Sequence, residues 1–158
     1  MKICLMTIGQ THKKWAKEAE KEFEDRIAHY ISFERVDIPD IKTSKKLSED
    51  SQKQQEGKLI LEKLQSSDFI ILLDERGKRC NSKEFSRDIQ DFMNRGLKRV
   101  VFIVGGPYGF SDEVYTRAGK NMLSLSAMTF PHDLVRVVFL EQLYRAFTIL
   151  RNEPYHHE

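Results

Sequence analysis

The sequence holds only two cysteines in 158 residues, Cys4 and Cys80, and they form no Cys-x-x-Cys pair. Neither a zinc site nor a disulfide framework is indicated, and such sparse usage fits a reducing cytoplasm. No apolar run is long enough to span a bilayer, so no membrane partner is expected. The apolar stretch at residues 1–9 is short and runs directly into Thr11-His12-Lys13-Lys14. It reads as a first core strand rather than a secretory signal. Charge of one sign is also lacking: a formal net charge of +2 is too small to imply nucleic acid, and only a local basic patch could do so. With 40% apolar residues and no low-complexity block, residues 1–158 are expected to form one soluble domain.

Several chemistries are missing as well. Gly105-Gly106-Pro107-Tyr108-Gly109 has neither the lysine and hydroxyl of a P-loop nor the Gly-x-Gly-x-x-Gly spacing of a dinucleotide fold. Ser124 and Ser126 do not sit in a Gly-x-Ser-x-Gly elbow. His132, His156 and His157 form no metal-binding helical pair, so no metal is expected.

What is present is an alternation of strand-like and helix-like segments. Strands are expected at residues 3–8, 33–38, 69–73, 100–104 and 122–126, the third ending where Asp74 begins a charged stretch. In the first helix, Trp15, Ala19, Phe23, Ile27 and Tyr30 fall on one stripe, which makes Trp15 a core anchor, with a base-stacking platform as its alternative. The polar segment at residues 40–58 is a solvated loop, or an RNA-contacting one, with a helix starting near Ser48. Ser82 and Ser111 are expected to cap two further helices, and Gly96 to stop the first of these. Residues 132–151 are expected to form a last helix, apolar enough to need either a central place in the fold or, the favoured reading, a second copy of the chain against it.

This order predicts an α/β fold, a mostly parallel sheet with helices on both faces. Ligands then bind beyond the carboxyl ends of the strands. The interruptions at Leu73-Asp74, Gly105-Gly106 and residues 125–130 all fall at that edge and should line one cleft. A pocket built from main chain and apolar side chains, followed by His132 and Arg136, suits a nucleoside-like cofactor.

The motifs Leu73-Asp74-Glu75-Arg76-Gly77-Lys78, Ile103-Val104-Gly105-Gly106-Pro107-Tyr108-Gly109, Leu123-Ser124-Leu125-Ser126, Met128-Thr129-Phe130-Pro131-His132, Val135-Arg136-Val137, Glu141-Gln142-Leu143-Tyr144-Arg145-Ala146 and Pro154-Tyr155-His156 resemble the bacterial RlmH family of SPOUT-class methyltransferases. The likeness spans the chain in length and order. It implies a homodimer with a C-terminal trefoil knot, which ordinary topology rules would not propose. It also implies S-adenosylmethionine as methyl donor and, as acceptor, N3 of a pseudouridine in the helix 69 loop of 23S rRNA. Carried over by motif, Leu73, Gly105, Leu125, Ser126, Ala127, Met128, Thr129 and Phe130 bind the cofactor, with Gly105 leaving space for it. One departure is the terminus, where His157-Glu158 stands in place of the family's usual basic residue after Tyr-His.

Within that reading His132, at the positive end of the last helix, is the candidate base for the N3 proton, with a capping role as the alternative. Arg136, one turn on, would stabilise the uracil anion or hold a phosphate, or else pair with Asp133. Tyr155 and His156 would contact the target base. Lys42, Lys45, Arg76, Lys78 and Arg79 would meet phosphates of an assembled ribosome. Methylation of another RNA such as tRNA, or a non-catalytic ribosome-binding module, are the competing readings.

Overall fold

The computed structural model describes residues 1–41 and 47–157. Five parallel strands, β1 (Lys2–Ile8), β2 (Ser32–Ile38), β3 (Phe69–Arg79), β4 (Arg99–Val104) and β5 (Met122–Ser124), form one sheet in the order β2-β1-β4-β3-β5. Five helices join or follow them: α1 (Lys14–Ile27), α2 (Glu49–Lys63), α3 (Ser82–Asn94), α4 (Asp112–Ala118) and α5 (His132–Leu150).

Strand residues alternate between two cores because successive side chains point to opposite faces. Ile3, Leu5, Val100, Phe102 and Ile71 pack with Ile27 of α1, Phe85 and Ile89 of α3, and Phe139, Leu140 and Leu143 of α5. Cys4, Met6, Val101, Ile103, Ile70 and Leu72 pack instead with Ile60 of α2 and Val114 and Ala118 of α4. The α/β class expected from sequence is the class observed.

Local signals account for most element ends. The Ser48 hydroxyl accepts from Ser51 N and opens α2, and Ser111 does the same for α4 through Val114 N. For α3 the cap is Asn81 rather than Ser82: Asn81 and Glu84 form a reciprocal capping box. Gly96, at φ +67°, ends it as expected. β5 is shorter than read from sequence, stopping at Ser124, so Leu125 to Phe130 are loop.

Two expectations fail. Trp15 is not a core anchor, being 51% exposed. The buried stripe of α1 runs through Ala16, Glu20 and Ile27, one position out of phase with Trp15, because Glu20 is held inside by Thr11 (2.7 Å) and Arg35 (3.2 Å). Nor does β3 end at Asp74; it continues to Arg79 after a bulge. Lys42, Lys45 and Glu158 lie outside the described residues.

Candidate active site

The bulge in β3 shapes the site. Leu123 of β5 is opposite both Leu73 and Lys78, so residues 74–77 leave the ladder and return to it. The return needs Gly77, whose hypothetical Cβ would stand 2.5 Å from Leu123 N and 2.6 Å from Met122 C, both backbone atoms. Within the bulge, Asp74 accepts hydrogen bonds from Arg76 N (2.9 Å), Arg76 Nε (3.2 Å) and the Tyr115 hydroxyl of α4 (2.5 Å). The Arg76 guanidinium lies 4.5 Å from the Tyr115 ring centre. Burial alone would raise the Asp74 carboxyl, but these donors outweigh it and hold its pKa below the ordinary value. The sequence pointed to Asp74 as a break lining the cleft and to Arg76 as a phosphate contact, but not to Tyr115, which joins them from another element.

The carboxyl ends of β3, β4 and β5 open into two adjoining cavities. The smaller, about 140 Å³, is lined by Leu73, by residues 125–130 and by Val135. The larger, about 660 Å³, shares Leu73, Thr129, Phe130 and Val135 with it and adds Gly105, Gly106, Tyr115 and His132. That volume is in the range of small-molecule sites. All eight residues named for cofactor contact therefore line one connected cleft. Ser124 and Ser126 shape its loop: the Ser124 hydroxyl donates to Ser126 O (3.0 Å) and Ser126 Oγ accepts from Met128 N (2.9 Å). Among the described residues, the main chain of Ala127 and of Thr129 makes no hydrogen bond to other backbone. Open donors and acceptors beside the apolar Leu73 and Val135 fit a purine ring held by its edge. Gly105 lines the larger cavity beside Phe110, and a Cβ there would press on the Phe110 ring at 3.0 Å.

Behind the neighbouring glycine stands an acid that sequence reading also missed. Glu56 of α2 is 3% exposed, with Oε1 accepting from Gln52 (2.9 Å) and Oε2 unpaired among the described residues. A Cβ on Gly106 would come within 2.2 Å of that oxygen. The only hint in sequence was Gly57 in a helix interior, a costly choice explained by Ser111 Oγ 2.2 Å from where its Cβ would be. Burial raises the Glu56 pKa above its ordinary value. A raised carboxyl pKa means the native state binds the proton more tightly, so this group's contribution is fully present below the unfolded pKa and lost as pH rises through the folded one. Glu56→Gln is thus expected to raise the thermal midpoint at pH 8 relative to the unmodified chain, with the gain disappearing toward pH 4. Melting curves at the two pH values check this.

His132 opens α5 at the cleft wall, exposed on its outer side. Loss of water on its inner side, and then the nearby Arg136 charge, lower its pKa below the ordinary histidine value. Arg136 is not on the open wall. It is 2% exposed, with Nη1 donating to Thr11 Oγ1 (2.9 Å) and Nη2 to Ile8 O (2.7 Å). No ion pair joins it to Asp133, which instead accepts from Lys13 N (3.0 Å) and His12 N (3.4 Å). In one chain Arg136 is thus turned to the end of β1, away from the two adjoining cavities, and it lines a third, about 140 Å³, with His12, Gly106 and His132.

Tyr155 and His156 stand elsewhere. The Tyr155 hydroxyl donates to Glu141 (3.1 Å), its ring packs edge-on to Tyr144 at 4.7 Å, and Arg145 lies over it at 4.8 Å while reaching His156 Nδ1 at 3.2 Å. Glu141 and Arg145, which hold this cluster, lie along α5 from His132 by roughly 14 and 20 Å of helix rise. One chain does not bring the two groups together. Arg76, Lys78 and Arg79 are exposed on the β3 bulge beside the cleft. Among the described residues, no group of three or more His, Cys, Asp or Glu side chains could hold a metal ion, and no helix is long and apolar enough to cross a membrane.

The chain is similar to known proteins along its whole length. Residues 1–156 match the family described as "Predicted SPOUT methyltransferase". A ribosomal RNA large subunit methyltransferase H from Christiangramia forsetii is 57% identical over 157 residues, 99% of each chain. Proteins of the same name from Parabacteroides distasonis and Flavobacterium johnsoniae are 53% and 52% identical over the whole of both chains.

Proposed function

The chain belongs to the SPOUT methyltransferase family, and from that premise we propose that it methylates N3 of a pseudouridine in the helix 69 loop of 23S rRNA. S-adenosylmethionine is the donor, the assembled ribosome in the cytoplasm is the substrate, and residues 1–158 act as one knotted domain paired in a homodimer. The observation that carries this reading is the single cleft into which residues 73, 105 and 125–130 converge.

The donor, when bound, supplies an electrophilic methyl group on a sulfonium. The chain's task is then to hold the acceptor in line and manage one proton. Leu73 and Val135 would offer the donor's adenine an apolar bed, and the main chain of Ala127 and Thr129 would offer its polar edge hydrogen bonds. N3 of pseudouridine is an imide nitrogen that attacks well only as it loses its proton. His132 is exposed at the cleft, and its lowered pKa keeps it neutral and able to accept that proton. Arg136 is then a positioning residue that favours neutral His132 without touching substrate.

Two observations support a homodimer. Leu134, Val137 and Val138 of α5 are only half covered in one chain. Tyr155 and His156 can serve the cleft only if a second copy delivers them. Mixing two inactive variants, His132→Ala and Tyr155→Ala, is therefore expected to restore about a quarter of native turnover, since half the dimers are mixed and one of their two sites is intact. No recovery on subunit exchange would mean that each site is built from one chain.

The reading is tested by transfer of labelled methyl groups to ribosomes that carry pseudouridine but lack this methylation, with free rRNA and bulk tRNA alongside. Label confined to large-subunit rRNA of ribosomes is the expected result. Label in tRNA alone would replace the substrate, and no label from a folded, donor-binding dimer would replace the enzyme with a ribosome-binding module.

A further inference from the structure

Resting on the RNA substrate just proposed, we infer that Trp15 and the lysines around it form an RNA-stacking platform at the entrance to the cleft. Trp15 is the only tryptophan of the chain, and it is 51% exposed. Singly exposed apolar side chains are common, so what distinguishes Trp15 is the charge beside it. It makes no aromatic or cation contact among the described residues.

Its surroundings are cationic. Lys13, Lys14 and Lys17 are exposed on the same first turns of α1. Lys14 faces Glu18 at 3.8 Å, but both side chains are largely in water, so that pair holds little of the charge. Among the described residues no acid pairs with Lys13 or Lys17. The first turn of α1 contains no acidic residue of its own, and the carboxylate against its N-cap is Asp133, from α5. The chain's overall charge is nearly balanced, so this concentration is local.

The platform is fixed relative to the chemistry. Lys13 N and His12 N both bond the Asp133 carboxylate, next in sequence to His132. Asp133 is held ionised for this: burial would raise its pKa, but the two backbone donors lower it further. Unpaired RNA is recognised by aromatic faces that stack on splayed bases and by cations that meet the adjoining phosphates. The occupant is thus an unpaired nucleotide flanking the target, stacked on Trp15, with its phosphates on Lys13, Lys14 and Lys17.

The test is the methylation kinetics of the full-length protein on unmethylated ribosomes, comparing Trp15→Ala, Trp15→Phe and the double variant Lys13→Glu, Lys17→Glu. Trp15→Ala is expected to raise KM for ribosomes roughly ten- to hundredfold, the range for loss of one base stack. Trp15→Phe recovers most of that loss, and the double variant raises KM more at low salt than at high. Donor affinity and dimer mass stay at native values. A KM for Trp15→Ala within twofold of native overturns the platform while leaving the methyltransferase reading intact. Dissociation of the Trp15→Ala dimer overturns it in favour of an interface between copies. Absence of ribosome methylation by the unmodified protein removes the substrate reading itself and the platform with it.

Discussion

Gly77→Ala is expected to weaken donor binding at least tenfold and to destabilise the fold by about 3 kcal/mol, the upper end for overpacking a close contact. The size of the effect follows from what the new methyl meets. Side chains can swing away, but Leu123 N and Met122 C belong to β5, which is hydrogen-bonded to β3 on both sides of the bulge. Relief requires the two strands to separate, and their carboxyl ends carry Leu73, Asp74 and the loop that begins at Leu125. Gly96→Ala is the control. It also strains the backbone, at φ +67°, but a Cβ there meets nothing within 4 Å, and the site is far from the cleft in the fold. Melting curves and donor titration separate the two: Gly96→Ala lowers stability by about 1 kcal/mol and leaves binding alone, whereas Gly77→Ala lowers both. Native donor affinity in Gly77→Ala would mean that the bulge does not set the cleft.

The difference between these glycines shows what was legible in the sequence. Periodicity and the turn after each strand were enough for the layered α/β fold, because strands covered on both faces are written as continuous apolar runs. The convergence of residues 73, 105 and 125–130 followed from the rule that such sheets bind at one edge. What failed depended on contacts between distant segments. Glu20 looked like a solvent-facing acid, so the stripe of α1 was drawn through Trp15. Only Thr11 and Arg35, from two other elements, make Glu20 an inside residue. The charged letters after Leu73 looked like the end of a strand, yet the backbone pairs again at Lys78 and Arg79. Asn81 and Glu84 were as visible as Ser82, and a capping-box search would have chosen correctly. Tyr115 had no sequence signal of function, and Glu56 only the indirect one of Gly57, since each matters through a segment far along the chain, Asp74 for Tyr115 and Gly106 for Glu56. Helical spacing did place Arg136 one turn from His132, but spacing says nothing about which side of that turn the end of β1 covers.

Arg136→Met is the second large prediction, with about 3 kcal/mol of stability lost and the acid limb of kcat/KM moved to higher pH. The stability cost arises because two buried acceptors, Ile8 O and Thr11 Oγ1, lose charged donors while Glu20 stays inside beside Thr11. The pH effect has a separate cause. His132 is pushed below its ordinary pKa first by burial and then by the Arg136 charge, so removing that charge lets its pKa rise. A base must be neutral to work, so activity fails at a higher pH than in the native protein. Linkage gives the same sign for folding. A histidine with a depressed native pKa binds fewer protons than in the unfolded chain, and stability is lost as pH falls below about 6.5. In Arg136→Met the two pKa values approach each other, and this share of the acid-side loss shrinks. Urea midpoints and a pH–rate profile measure the two effects independently. A lowered midpoint with an unmoved acid limb would reduce Arg136 to a fold anchor and take the proton-accepting role away from His132; a limb that moves ties the buried guanidinium to the chemistry it never touches.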